Sequence, residues 1–228
     1  MRKRIRDYGI IIGKHRPGAL NKITDVPGVQ VGHATVDTED HKTGVTVILP
    51  CEDNPFVNKL TAAAYVHNGF GKTTGTLQIA ELGTLETPIA LTNTLNVGLV
   101  QDALVDYMIT KCRAEKVQVS TVNAVVGECN DGFLNRIRER AVGKEEVYQA
   151  IQSASRDFEE GDVGAGKGTS CFGMKGGIGS ASRILELDGK EFVIGALVQS
   201  NFGSTENFML NGQMLGRELD ARIREKQK

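Results

Sequence analysis

The sequence predicts an α+β fold, with helices packed on a mostly antiparallel sheet. Three observations carry this. β-branched runs of strand length crowd the first third, the two clearest helical periodicities lie in the middle, and a long hairpin signal comes late. This order departs from the regular alternation of a strict βαβ series. The chain has 228 residues, without a visible repeat or dividing linker, so residues 1–228 are expected to form a single domain.

Each element has its own signal. Val29–Val36 (VQVGHATV) and Gly44–Pro50 (GVTVILP) are β-branched runs bounded by Gly, Pro, Asp and Lys. Asn54–Gly75 mixes small residues with a Gly-rich turn, and TTGTLQIAELG then predicts a helix capped by Thr73 or Thr74 and stopped at Gly83. PIALTNT is a short apolar strand. The strongest helix is Val97–Lys116, where Val100, Ala103, Leu104, Tyr107, Met108 and Cys112 recur at spacings of three and four. Thr121–Glu128 (TVNAVVGE) reads as a strand ending in polar residues. Glu145–Ala154 reads as a helix whose stripe is Val147, Ala150, Ile151 and Ala154. Ser182–Gly203 contains two strands joined by Asp188-Gly189, the best hairpin signal in the chain.

Composition excludes several function classes. A formal net charge of -1 leaves no electrostatic footprint for nucleic acid or an anionic membrane. No stretch approaches the roughly 20 apolar residues of a membrane span. The basic start MRKRIR leads into only a brief apolar run, YGIIIG, too short for a signal peptide, so the expected compartment is the cytoplasm. Cys51, Cys112, Cys129 and Cys171 are scattered and are expected as reduced, mostly buried thiols. His15, His33, His41 and His67 are dispersed too, so no structural metal is expected.

Several motifs could carry chemistry. GDVGAGKGTS (Gly161–Ser170) nearly spells a phosphate-binding loop, but Gly168 stands where a hydroxyl should hold Mg²⁺, and the glycines that follow make poor helix material. HNGFGKTTG fails for a different reason: Val66 stands at the first glycine position. VVGECNDGF places Glu128 and Asn130 at a strand end, as an acidic site or as plain turn chemistry. Cys129 would need a base, and no His lies near it in sequence. In ALVQSNFGS, Asn201 ends an apolar strand, where its amide could serve a developing oxyanion or cap a turn. Lys175, flanked by glycines, is either pushed towards neutrality for catalysis or part of a surface turn.

Six stretches in order carry a resemblance: GALNKITDVPGVQVGHATV, GVTVILP, NGFGKTTGTLQIAELGTLETPIALTNTLNVG, VVGECNDGFLN, GDVGAGKGTSCFGMKGGIGSASR and VIGALVQSNFG. They cover most of residues 18–203. The chain resembles the L-aminopeptidase/D-esterase (DmpA-like) and β-aminopeptidase family of self-cleaving hydrolases. The resemblance implies an αββα sandwich similar to that of N-terminal-nucleophile enzymes. It also implies a precursor that cuts itself into a larger α chain and a smaller β chain. The first residue of the β chain, a Ser or Thr, attacks the substrate, with its own amine as base. The implied substrate is a small peptide or amide, and no metal or organic cofactor is implied.

By the same resemblance Glu128 faces the substrate's free amino group, where a carboxylate favours the ammonium, and Asn201 donates to the oxyanion. Lys175 matches a Lys of the nylon-hydrolase branch. Asn130 stands where similar aminopeptidases place a Tyr near the oxyanion, which leaves the substrate class open. Thr169 and Ser170 lie inside the glycine-rich segment and are poor stand-ins for the nucleophile. The chain is therefore expected to be an α subunit, with its β chain supplied by the same precursor and tetramers of αβ heterodimers as the assembly. A non-catalytic binding module and an acyltransferase like ornithine acetyltransferase stay open as alternatives.

Overall fold

The computed structural model describes residues 3–226. The strands are β1 (Gln30–Asp37), β2 (Lys42–Leu49), β3 (Leu60–Thr61), β4 (Thr84–Leu85), β5 (Ile89–Asn93), β6 (Val125–Cys129), β7 (Ser170–Cys171), β8 (Met174–Lys175), β9 (Gly177–Leu187), β10 (Lys190–Ser200), β11 (Met209–Leu210) and β12 (Gln213–Met214). The helices are α1 (Thr76–Leu82), α2 (Val97–Ala114), α3 (Lys144–Gln152) and α4 (Gly216–Lys226).

The main sheet has the order β1-β2-β5-β6. Its first two pairings are antiparallel, as expected, but β5 and β6 run parallel, joined through α2. One βαβ unit is thus embedded in an otherwise antiparallel sheet. Alternation along the strands gives the sheet two buried faces. Ala34, Val45, Val47, Ala90 and Val126 pack against Val100, Ala103 and Leu104 of α2 and Val147 and Ala150 of α3. Gly32 brings β1 onto α3, since a β-carbon there would lie 2.0 Å from the Ala150 carbonyl oxygen. On the other face Val31 and Ile48 pack with Phe158, Ala165, Ile178 and Leu197, the last two from β9 and β10.

The long hairpin supplies the second sheet. Asp188 and Gly189 both have positive φ, 51° and 71°, as a two-residue primed turn requires. β9 begins at Gly177, upstream of the expected Ser182, because its pairing with β10 continues to Gly177 opposite Ser200. Leu197 points inwards, whereas Phe192, Ile194 and Val198 on the outer face are 49%, 56% and 51% exposed. The described residues thus stack as helices, sheet and second sheet, three of the four layers of an αββα sandwich.

Two further boundaries differ from the sequence expectation for physical reasons. α1 is preceded by Gly75 at φ +82°, not capped by a Thr side chain, because Thr74 is committed to a bridge with Val126 on the outer edge of β6. β6 starts at Val125 rather than Thr121, since Asn123 gives its backbone N–H and side-chain amide to the buried Glu86 carboxylate, both at 2.9 Å, instead of to a neighbouring strand. Of the cysteines only Cys112 is buried; Cys51, Cys129 and Cys171 are partly exposed, and all four are free thiols. Among the described residues no cluster of His, Cys, Asp and Glu could hold a metal ion, and no helix is long and apolar enough to cross a membrane.

Candidate active site

The parallel pair β5 and β6 ends in register, with Thr92 opposite Glu128 and Asn93 opposite Cys129. Beyond β5 the chain turns through Thr94–Asn96 into α2. Asn93 fixes this turn: its Oδ1 accepts the backbone N–H of Leu95 and of Asn96, both at 3.1 Å. The Thr94 hydroxyl then donates to Glu128 Oε2. The other carboxylate oxygen, Oε1, accepts the Lys72 backbone N–H at 3.0 Å. That amide is in place because Thr74, two residues on, bridges to β6. Lys72's own ammonium turns back onto the Phe70 carbonyl and ring. Neither donor to Glu128 carries a charge.

After Glu128 the chain bends towards the second sheet. The Cys129 thiol donates to the Gln199 carbonyl at 3.5 Å, and burial, with Glu128 next, pushes its pKa up to about 11. A thiol so protonated is a poor nucleophile. Asn130 makes the turn expected of it, its Oδ1 accepting the Gly132 N–H at 3.0 Å. Its main-chain carbonyl accepts Asn201 Nδ2 at 2.8 Å. Asp131, 1% exposed, accepts Asn135 Nδ2 at 3.0 Å, and burial raises its carboxyl pKa. Gln199 secures the end of β10 by donating to the carbonyls of Thr92 and Ala165 at 3.1 and 2.9 Å. Glu128, Asn130 and Asn201 are therefore neighbours at one end of both sheets.

The glycine-rich segment forms the floor. Gly164–Gly166 is a 3-10 turn under β2, where Gly164 N donates to Thr35 Oγ1 at 2.7 Å and Ala165 N to Thr46 Oγ1 at 3.1 Å. Lys167, the phosphate-binding Lys of the near-motif, is drawn to Asp37 at 2.6 Å and Asp162 at 3.2 Å. Hydrogen bonds from Lys167 and then Lys42 hold the Asp37 carboxyl down at about 2. Gly168 has no room for a hydroxyl-bearing side chain: a β-carbon there would sit 1.9 Å from the Lys42 carbonyl oxygen and 2.8 Å from Asp131 Cβ. The following residues form β7, not a helix. These glycines serve close backbone packing.

Lys175 joins this floor as a cross-link. Its Nζ donates to the carbonyls of Gly166, Thr169 and Gly176 at 2.8, 3.0 and 2.8 Å, with Asp162 at 3.4 Å. These three bonds clamp the glycine-rich turn to the chain that follows it. Gly177 N bonds to Ser200 Oγ at 3.1 Å, so the cross-link lies close to Asn201 along the chain. Sequence reasoning missed Asn93, Thr94 and Asp162. Asn-Thr ahead of a helical periodicity was a usable cap signal in TNTLNVG.

The profile of Peptidase family S58 matches residues 21–228. The β-peptidyl aminopeptidase BapA of Sphingosinicella microcystinivorans is 40% identical over 227 residues, 95% of this chain and 56% of the relative. The PH0078 protein of Pyrococcus horikoshii superposes with a TM-score of 0.91 at 49% identity, covering 96% of this chain and 64% of that one. The L-aminopeptidase D-Ala-esterase/amidase of Ochrobactrum anthropi, described as a prototype for the serine aminopeptidases with a variant of the Ntn hydrolase fold, superposes at 0.87 with 33% identity, covering 96% and 63%. The chain thus spans less than two thirds of the length of each.

Proposed function

The chain belongs to peptidase family S58, and on that premise we propose that it is the α subunit of an autoprocessed aminopeptidase. It binds the amino end of short amides or esters, and the nucleophile comes from a β chain of the same precursor that begins with Ser or Thr. The observation that carries this is Glu128, held by two uncharged donors at the joined ends of β5 and β6, beside the loop that Asn201 grips.

The geometry suggests a course for the reaction. The substrate's ammonium docks on Glu128, which sets its carbonyl near Asn201. The β chain's hydroxyl adds to that carbonyl while its terminal amine takes the proton. Asn201 has a second amide N–H beyond the one given to Asn130, and this N–H steadies the oxyanion. Collapse expels the leaving amine, which takes the proton from the β chain's terminal ammonium, and water then hydrolyses the ester left on the nucleophile. Self-cleavage of the precursor passes through a similar tetrahedral intermediate.

β-Amino acid amides are the first substrates to try, in view of the BapA relative. A nylon-type amide-oligomer hydrolase is the second reading, supported by Lys175, which matches a Lys of that branch, while Asn130 leaves the substrate class open. The test is Glu128→Gln in the cleaved enzyme. It is expected to lower kcat/KM for substrates with a free amino group by ~10-fold or more, with little effect on amino-blocked esters. Equal losses on both would remove the amine-binding role.

A further inference from the structure

We propose that Thr94 is the positioning residue that aims the Glu128 carboxylate at the substrate's ammonium, with buried Asn93 as its bracket. This rests on the reading of Glu128 given above. An ionised carboxylate has about four lone-pair sites, two per oxygen. Lys72 N takes one on Oε1, and the Thr94 hydroxyl takes one on Oε2. One site on each oxygen is left, a matched pair for two N–H groups of a primary ammonium. Thr94 therefore sets the rotation of the carboxylate. Without its hydroxyl, only the Lys72 amide would hold the group, and one point does not fix a plane.

The bracket is built to keep that hydroxyl still. Asn93 is 2% exposed, caps the turn through Leu95 and Asn96, and gives its Nδ2 to Thr43 Oγ1 at 2.8 Å. Thr43 is fully buried, and its hydroxyl is near enough to Asp131 to work against the rise that burial gives that carboxyl's pKa. Asp131 adjoins Asn130, whose carbonyl Asn201 grips. A buried chain of polar groups thus links the mount of Glu128 to the mount of Asn201. Thr94 itself is only partly buried, so water can replace its hydroxyl cheaply where stability is concerned. Its effect belongs to substrate alignment.

The experiment uses the native enzyme with Thr94→Val, which keeps the shape and loses the hydroxyl, and Thr94→Ser, which keeps the hydroxyl. Substrates are an amino-acid anilide with a free amine and the corresponding N-acetylated ester. Thr94→Val should raise KM for the free-amine substrate ~10-fold, in line with a hydrogen bond to a charged group, with kcat within about threefold and the blocked ester unaffected. Thr94→Ser should stay within about threefold of wild type on both. Equal loss on both substrates, no loss in Thr94→Val, or a Thr94→Ser as impaired as Thr94→Val would each overturn the inference. If Thr94→Val does not fold, Thr94→Ala, which needs no more room, replaces it. Glu128→Gln run alongside separates the two claims. Selective loss there without selective loss in Thr94→Val removes only the role of Thr94, whereas no selective loss in Glu128→Gln removes the amine reading and this inference together.

Discussion

His33 shows how one side chain's tautomer follows from its partners. Its Nε2 faces the Glu159 carbonyl at 2.9 Å and must donate; its Nδ1 faces Thr46 Oγ1 at 2.9 Å. Thr46 Oγ1 already accepts the Ala165 N–H, so its proton is free to go to Nδ1. Burial lowers the His33 pKa below 6.5, and protonating the ring would also cost Nδ1 the hydrogen bond that it accepts from Thr46. The unfolded chain then binds the proton that the folded chain refuses. Stability is full above about pH 6.5 and falls as pH drops below it, towards the folded pKa. Urea midpoints measured from pH 7.5 down to pH 5.5 should fall in wild type and fall less in His33→Gln. Parallel slopes would remove His33 as the cause. Glu128 and Asn201 were legible as polar residues at strand ends. Their meeting was not, because the Asn201–Asn130 bond spans 71 residues and no local pattern records it.

At the scale of elements, legibility follows how local each signal is. α2 was readable because its buried stripe, Val100, Leu104 and Met108, is written at helical spacing in its own residues. The hairpin was readable because Asp188-Gly189 alone dictates the turn. The start of β6 and the cap of α1 were misread because Glu86 and Val126, far off in sequence, decide them. α2 also carries the βαβ crossover that sets β5 beside β6, so its packing should govern overall stability more than the site's chemistry. Leu104 is fully buried between α2 and the main sheet. Leu104→Ala should cost about 2–5 kcal/mol in chemical denaturation, with KM for a free-amine substrate unchanged in the protein that stays folded. A loss below about 1 kcal/mol would mean that the interface refills the space.

For the whole molecule, the telling surface is the outer face of the hairpin. Phe192, Ile194 and Val198 share one face of β10, and among the described residues the sheet order leaves one edge of β10 unpaired. Apolar faces and bare edges of this kind favour association. A β chain from the same precursor would cover them, extending the second sheet. Intact mass analysis of native protein should therefore find a second polypeptide whose first residue is Ser or Thr. A monodisperse preparation of this chain alone that hydrolyses free-amine substrates would refute the two-chain reading.

The Arg4 guanidinium sits against the carbonyls of Leu20, Asn21 and Ser180 and the Glu160 carboxylate, closing a loop of 176 residues. On the ribosome, at roughly 5–20 residues per second, Arg4 is made roughly 9–35 s before Ser180. Through that interval the first segment, with exposed Ile5, Ile10, Ile11 and Ile12, has no place to dock. A segment made early is thus among the late ones to settle, and until then it is open to proteases and to chaperones that grip short apolar peptides.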